Sequence, residues 1–239
     1  MKGLASKINR KIGRALHQYK MIREGDRILV AVSGGVDSLV LAWLLTAWQD
    51  KAPIRYNVLA VHIDPGFDQD LGDQVGCCLD RLKIPHLIEK TDFGPRALQA
   101  EGGRSVCYHC ARQRRHRLFE LARQHHCNSV ALGHHRDDII ETFLINLFYG
   151  GNLSTMVPRQ ELFDGRLAII RPLAFLEKEE IYGMAAAQGI EAVKNPCPRD
   201  DHSKRRLVRN HLDLLIRDHP EVKGYIFAAL ANIRPGYLL

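Results

Sequence analysis

Two kinds of apolar pattern alternate along the chain. Short, nearly continuous apolar runs, which are typical of buried strands, occupy residues 28–32, 56–63, 86–89, 129–132 and 167–170. Longer stretches, in which apolar residues recur every three or four positions, predict helices at residues 4–20, 38–48, 71–82, 107–124, 137–148, 178–188, 204–217 and 222–232. Residues 91–106, which include two adjacent glycines, are predicted to form a loop.

The alternation of strands with helices predicts an α/β fold built on a doubly wound parallel sheet, because a helix is the usual crossover between parallel strands. Residues 1–22 are expected to form an N-terminal helix, residues 23–200 the main domain, and residues 201–239 a C-terminal helical tail. The apolar stripe of the N-terminal helix suits docking on its own domain or on a second subunit. In a sheet of this kind, a ligand binds at the carboxyl ends of the strands.

Composition narrows the class of partner and the compartment. The chain has 239 residues, 46% of them hydrophobic, which allows one large α/β domain. Its formal net charge of +7 and isoelectric point of about 9.2 favour an anionic partner, either a nucleotide or a nucleic acid. No apolar run reaches the roughly 18 residues that span a bilayer, and the first residues are polar and basic, unlike a signal peptide. We therefore expect a cytoplasmic protein with no membrane partner.

The segment RILVAVSGGVDSLVLAWLL, residues 27–45, places two glycines between a buried strand and a buried helix. Such a turn aims backbone N–H groups at one point, where the positive end of the helix dipole also lies, so it suits a phosphate. Ser33 and Ser38 can add hydroxyl hydrogen bonds, while Gly34 and Gly35 let the backbone approach an anion. The Lys-Ser/Thr pair of a Walker A loop is missing. A simple turn capped by Asp37 is the alternative that geometry leaves open.

A second motif, LGHHRDDIIETFLINLFYGG at residues 132–151, joins the fourth predicted strand to a helix. It falls at the carboxyl end of that strand, where the ligand of the first loop would lie. Asp137 and Asp138 are either helix caps or functional carboxylates, and Asp137 is the better candidate for function. His134 is a candidate site residue, whereas His135 is expected to be a solvated neighbour.

The cysteines divide into two groups. A disulfide framework is not expected in a cytosolic chain. Three cysteines are expected to be small buried hydrophobic residues: Cys77, Cys78 and Cys127. The other three lie where chemistry is expected: Cys107, Cys110 and Cys197. Three thiolates suit a [4Fe–4S] cluster that leaves one iron open, but a zinc site completed by His109 or His202 and a redox pair remain alternatives.

These motifs also carry a resemblance to known enzymes. SGGVDS at residues 33–38 resembles the signature of the PP-loop ATP pyrophosphatases. The second motif, with GHHRDD and FYGG, resembles the tRNA 2-thiocytidine synthetase family within that group. Four further stretches agree with this family: YKMIREGDRI (19–28), CYHCARQRR (107–115), IIRPLA (169–174) and NPC (195–197). The resemblance spans about residues 8–210.

The resemblance implies an ATP-dependent sulfurtransferase that adenylates a carbonyl oxygen, releases pyrophosphate and thiolates a cytidine in the anticodon loop of tRNA. It implies that the pyrophosphate portion of ATP is held by Ser33, Gly34, Gly35, Asp37 and Ser38. A carboxylate beside phosphates repels them unless a cation lies between, so Mg²⁺ is expected at Asp37. Catalytic roles are expected for Asp137, Arg114 and Asp37, and nucleotide contacts for Gly133 and His134.

For the cysteines, the resemblance implies a [4Fe–4S] cluster held by Cys107, Cys110 and Cys197, with an open iron that can hold a sulfide. The expected partners are tRNA and a sulfur donor such as a cysteine desulfurase, and a homodimer is left open. Two positions depart from the family pattern, because Val36 replaces a usual lysine and Asp200 replaces a cysteine. An amide-forming ligase similar to lysidine synthetase, or a non-catalytic nucleotide- or zinc-binding RNA module, are the alternative functions.

Overall fold

The computed structural model describes residues 2–67, 70–99, 106–194, 196–197 and 204–237. The side chains of residues 2–5 and of Cys107 lie outside this description, as does Asp200. Contacts divide the chain into two compact units, the first formed by residues 1–135 and 158–199 and the second by residues 136–157 and 200–239.

The described elements alternate as the apolar pattern predicts. The strands are β1 Arg27–Ala31, β2 Asn57–Asp64, β3 His86–Lys90, β4 Ser129–Ala131, β5 Arg159–Leu162 and β6 Leu167–Ile170. The helices are α1 Lys2–Gln18, α2 Val36–Gln49, α3 Leu71–Arg81, α4 Phe93–Gln99, α5 Val106–Gln124, α6 Arg136–Gly150, α7 Lys178–Gln188, α8 Lys204–Asp218 and α9 Val222–Ala229. A short 3₁₀ helix follows at Pro235–Tyr237.

The first unit is built on a six-stranded sheet in the order β3-β2-β1-β4-β6-β5. The pairs β1–β2, β1–β4, β2–β3 and β4–β6 are parallel, so the predicted α/β fold is confirmed. The chain winds outward from β1 to β3 and then returns to place β4 on the other side of β1. The carboxyl ends of β1 and β4 therefore flank the topological switch point, where open sheets of this type bind their ligands.

Two predictions for this unit are wrong in detail. The antiparallel edge strand β5, which pairs with β6, is absent from the sequence prediction because RQEL has no clear strand pattern. Residues 91–106 were expected to form a loop, yet Phe93–Gln99 forms α4. The predicted break at Gly102 and Gly103 lies outside the described residues. Pro95 lies in the first turn of α4, where its missing backbone N–H costs no helical hydrogen bond.

Helices cover both faces of the sheet. Leu29, Val61 and Val130 pack together with Leu121 and Ala122 of α5, and all five side chains are buried. Neighbouring residues of a strand point to the opposite face, where α2 lies against β1 and β2. Because both faces are covered, the strands are apolar along most of their length, as is typical of buried parallel sheets.

The N-terminal helix docks on its own unit. Ile8 and Ile12 of the apolar stripe are buried, and Lys11 forms an ion pair with Glu180 of α7, with 2.7 Å between Nζ and Oε1. The guanidinium group of Arg14 lies 4.6 Å from the ring centre of Phe175. Of the two docking modes that the stripe allows, the structure therefore has the intramolecular one.

The second unit packs α6 against α8 and α9. Glu141 of α6 is only 3% exposed and accepts hydrogen bonds from Arg209, with 2.6 Å between Nε and Oε1. This hydrogen bond raises the pKa of Arg209. Arg205 also contacts Glu141 at 3.2 Å and Asp138 at 3.3 Å. No described helix of either unit is long and apolar enough to cross a membrane.

Candidate active site

The turn between β1 and α2 has a shape that only glycine permits. Gly34 has a φ of +89°, and a Cβ added there would lie 3.2 Å from Cγ2 of Val75. Its carbonyl oxygen accepts a hydrogen bond from the backbone N–H of Val193 at 2.9 Å. Gly35 then begins α2 without a side-chain cap. The first N–H groups of a helix have no partner inside it, so this turn leaves the start of α2 able to bind an anion.

The two serine hydroxyls hold this turn together. Ser38 Oγ donates to the carbonyl oxygen of Gly35 at 2.8 Å and accepts from the backbone N–H of Ser33 at 3.1 Å. Ser33 Oγ lies 3.2 Å from Ser38 Oγ and accepts from the N–H of Gly35 at 3.3 Å. Ser38 is buried, whereas Ser33 is exposed. In this arrangement Ser38 shapes the loop, and Ser33 is the hydroxyl that a ligand can reach.

The turn at residues 33–38 is called the phosphate loop. The loop after β4, at residues 132–135, lies directly against it. A Cβ added at Gly133 would lie 3.0 Å from the carbonyl carbon of Asp37 and 3.0 Å from the backbone nitrogen of Ser38. The two motifs that the sequence singled out therefore meet at the switch point of the sheet. Only a residue without a side chain allows residues 132–135 to approach the first turn of α2 this closely.

This close approach buries a histidine that was expected to be solvated. His135 is only 4% exposed, and its Nε2 lies 3.9 Å from Oδ1 of Asp37. The expectation of a solvated neighbour is therefore wrong, because the contact at Gly133 draws the whole loop onto α2. The half-buried carboxylate of Asp37 has an imidazole on one side and the phosphate loop on the other.

His134 is held by a buried arginine that sequence reasoning did not select. Arg171, directly after β6, is 5% exposed, and its Nε donates to Nδ1 of His134 at 3.3 Å. A guanidinium group only donates, so Nδ1 accepts and a neutral His134 carries its proton on Nε2. Burial, with a smaller contribution from the charge of Arg115, lowers the pKa of Arg171 to about 10. Arg171 therefore remains a cation at neutral pH.

A second missed residue, His62, lies near the end of β2. It is 1% exposed, and its Nδ1 donates to the carbonyl oxygen of Val32 at 2.8 Å, immediately before the phosphate loop. Burial lowers the pKa of His62, against the effects of this hydrogen bond and of Asp64, and the charge of Arg114 lowers it further. Within the described part of the chain, His62 Nε2 and Arg114 Nε are both buried without a hydrogen-bond partner. The predicted catalytic arginine is thus beside a neutral buried imidazole.

Asp137 belongs to the second unit. It lies in the first turn of α6 and forms an ion pair with Lys223 of α9. The side chain of Asp137 is 15% exposed and that of Lys223 is 14% exposed. Such a pair keeps the carboxylate in one orientation, and it is also what a purely structural ion pair looks like.

Two of the three predicted cluster ligands have described side chains. Cys110 in α5 is buried at 7% exposure, and Cys197 is half-buried. Cys107 lies one helical turn before Cys110, but its side chain is outside the described part of the chain. Among the side chains that are described, no group of three His, Cys, Asp or Glu residues is arranged to hold a metal ion. Cys197 follows the segment at 191–194 that hydrogen-bonds to the phosphate loop through Val193.

The expectation for the other cysteines is partly wrong. Cys127 is 8% exposed, and burial raises the pKa of its thiol, as suits a small core residue. Cys77 is exposed and Cys78 is half-buried, since α3 turns its apolar stripe of Leu71, Val75 and Leu79 inward and leaves the cysteines beside it. None of the described cysteines forms a disulfide.

Comparison with known proteins agrees with this geometry. The sheet, its switch point and the glycine turn define a class of protein, the nucleotide-binding α/β proteins of the PP-loop type. The sequence model of a family described as a PP-loop domain matches residues 4–214. The chain belongs to the tRNA-cytidine(32) 2-sulfurtransferase family of PP-loop proteins.

Relatives of that name align with nearly the whole chain. The protein from Geobacter metallireducens is 39% identical over 237 residues, which cover 98% of this chain and 92% of the relative. The protein from Syntrophotalea carbinolica is 38% identical over 240 residues, which cover 99% and 92%.

Solved structures share the fold. The U34-tRNA thiolase NcsA from Methanococcus maripaludis, solved with its [4Fe–4S] cluster, superposes with a TM-score of 0.76 at 23% identity, over 96% of this chain and 78% of the thiolase. The NH₃-dependent NAD synthetase from Campylobacter jejuni superposes with a TM-score of 0.53 at 19% identity, over 96% and 92%.

Proposed function

We propose that the chain is an ATP- and iron–sulfur-dependent sulfurtransferase that converts cytidine 32 of tRNA into 2-thiocytidine in the cytoplasm. The observation that carries the proposal is the phosphate loop packed against Gly133 at the switch point, in a chain that aligns over nearly its whole length with relatives of this name. ATP is cleaved between its α and β phosphates, the carbonyl oxygen of the base is adenylated, and AMP leaves when sulfur enters.

The phosphate loop holds the pyrophosphate portion of ATP. Gly34 and Gly35 bring backbone N–H groups to the anion, and the dipole of α2 adds positive potential there. Ser33 donates its hydroxyl, while the buried Ser38 keeps the turn in shape. Gly133 and His134 form the facing wall, where the Nε2–H of His134 is a hydrogen-bond donor.

Asp37 holds the Mg²⁺ that accompanies ATP. Protein sites for Mg²⁺ with nucleotides commonly use one or two carboxylates together with the phosphates, and a single carboxylate at this loop fits that pattern. The bound ion offsets the repulsion between the carboxylate and the phosphates. His135, 3.9 Å away, keeps Asp37 in place.

Arg114 and Asp137 act in the activation step. The Nε of Arg114 is buried without a hydrogen-bond partner among the described residues, and the charge of Arg114 lowers the pKa of His62. A guanidinium group of this kind can stabilise a phosphate or an oxyanion. Asp137, held by Lys223, orients the base or the metal ion.

Cys107, Cys110 and Cys197 are the ligands of the [4Fe–4S] cluster. Thiolates are the ligands that such clusters favour, and the burial of Cys110 suits a site shielded from solvent. When bound, the cluster supplies sulfur to the activated cytosine. A ligase that forms an amide has no use for these three cysteines.

The sulfur donor is a protein such as a cysteine desulfurase, and the enzyme is a homodimer. Exposed apolar side chains in the second unit support a subunit interface there. They include Phe148 at 61% exposure, Leu214 at 55% and Leu215 at 54%.

Analysis of tRNA nucleosides by mass spectrometry tests the function directly. Deletion of the gene should remove 2-thiocytidine, and the wild-type chain should restore it, whereas Asp37→Ala should not because Mg²⁺-dependent ATP turnover is lost. The purified enzyme with cluster and tRNA should release AMP and pyrophosphate. Release of ADP and phosphate, or 2-thiocytidine that persists in the deletion strain, would refute the proposal.

A further inference from the structure

A cavity lies at the amino ends of β4 and β6, whereas the phosphate loop follows the carboxyl end of β1. It has a volume of about 770 Å³ and is lined by residues at the start of β4 and β6, together with α5 and the β5–β6 turn. This volume is within the range of small-molecule sites. The side chains that matter here are Phe119, Phe163, Arg123, Arg166, His116 and His126. The ATP site uses none of them.

The turn between β5 and β6 presents an aromatic ring to this cavity. Phe163 has a φ of 53°, in the left-handed region that a bulky residue rarely adopts, and Asp164 follows with a φ of 57°. The ring of Phe163 is 54% exposed and meets Phe119 edge to face, with 5.8 Å between centroids. Nε of Arg166 donates to the carbonyl oxygen of Phe163 at 2.9 Å and holds the turn in this form. Positive φ at successive residues is typical of a tight turn between antiparallel strands, and this turn fixes the exposed ring of Phe163 beside the cavity.

The polar lining favours an anion. Arg123 and Arg166 contribute two guanidinium groups, against the single carboxylate of Glu120. That carboxylate is already engaged, because Arg117 donates to it at 2.8 Å and His116 lies 3.3 Å from it. Nη2 of Arg166 also lies 3.8 Å from Oδ2 of Asp164, but both side chains are exposed, at 79% and 97%, so this ion pair is weak. The cavity therefore combines two aromatic rings with guanidinium groups that can bind an anion.

We propose that this cavity binds a nucleotide of single-stranded RNA, outside the nucleotide that is modified. A base stacks on Phe163 beside Phe119, and the adjoining phosphate lies against Arg123 and Arg166. Aromatic rings next to guanidinium groups are how proteins bind unpaired nucleotides without sequence preference. The inference rests on the proposed function in one respect, that RNA is the substrate class. An acidic peptide is the alternative occupant, but it leaves the exposed ring of Phe163 unused.

Binding of a short fluorescent single-stranded RNA and of unmodified tRNA, measured by anisotropy, tests this proposal. Phe163→Ala should weaken binding of both by roughly 5- to 100-fold, the loss expected for one stacked base. Phe163→Trp should retain binding. A plot of the logarithm of the association constant against the logarithm of the salt concentration falls with salt. Arg123→Gln should make this fall less steep by roughly 0.7, the value for one contact with a phosphate of a single strand. Tyr182→Ala is the matched control, since Tyr182 is a similarly exposed aromatic residue at 48%.

Equal affinity of Phe163→Ala and wild type, with melting curves that show both folded, would overturn the proposal. So would an equal loss in Tyr182→Ala, or competition by an acidic peptide as effective as RNA of the same charge. The outcome is separate from the proposed function. Thiolation with RNA affinity independent of Phe163 would reject only the cavity, whereas RNA binding that depends on Phe163 in a chain without thiolation would reject only the function.

Discussion

Replacement of Gly133 by alanine should separate the two loops that form the site. The added Cβ would lie 3.0 Å from backbone atoms of Asp37 and Ser38, whereas ordinary contact begins at 3.4 Å, so one loop must move by a few tenths of an ångström. The obstacle is backbone in the first turn of α2, which cannot rotate away as a side chain can. Overpacking of this kind costs ~1–3 kcal/mol, and a chain of this size should lose roughly 2–12 °C in Tm.

The same shift should also slow catalysis. A misplacement of 1 Å can cost ~10²-fold in rate, so the smaller shift in Gly133→Ala should slow AMP release by roughly 5-fold while the protein remains folded at 25 °C. Gly183→Ala in α7 is the control, because a Cβ there meets no described atom within 4 Å. It should gain roughly 1 kcal/mol from helix propensity and keep full activity. AMP release at the wild-type rate in Gly133→Ala would show that the two loops do not touch during turnover.

Three further outcomes follow from individual side chains. Asp137→Asn should lower the thiolation rate at least ~10²-fold, and a fall in Tm alone would leave Asp137 only a partner of Lys223. Cys197→Ala, purified without oxygen, should lose its iron, whereas the control Cys77→Ser should keep about four irons per chain. Iron retained by Cys197→Ala would show that Cys197 is not a cluster ligand. Because burial lowers the pKa of His62 from 6.5, the folded state binds fewer protons than the unfolded state, so the free energy of unfolding should fall as pH drops below 6.5. Urea denaturation at about pH 7.5 and 5.5 should show a smaller fall in His62→Asn, and equal falls would contradict the assignment.

Local patterns were sufficient to predict the phosphate loop. The apolar run that becomes β1, the two glycines and the apolar start of α2 are contiguous in sequence, so periodicity and backbone chemistry identify the turn without knowledge of the fold. The same holds for the parallel strands, whose apolar runs reflect burial on both faces. The fold class could therefore be predicted, and the structure confirms it.

The residues that sequence reasoning missed come from other strands. His62 reads as a single polar residue in an apolar strand, which is usually a core histidine, and only the pairing of β2 with β1 brings it to Val32 and the loop. Arg171 was part of a recognised motif, but its contact with His134 depends on β6 lying beside β4.

The missed strand β5 also has a consequence for solubility. All four residues of β6 are buried. Without β5, this apolar strand would be the edge strand of the sheet, and its unpaired N–H and carbonyl groups could pair with another chain. The edge strand is instead β5, which has only four residues, and two of them, Arg159 and Glu161, form an ion pair at 2.6 Å. A short edge strand that carries charged side chains resists pairing with strands of neighbouring molecules. Removal of residues 159–166 should therefore promote aggregation of the folded protein, independently of any loss of the cavity beside Phe163.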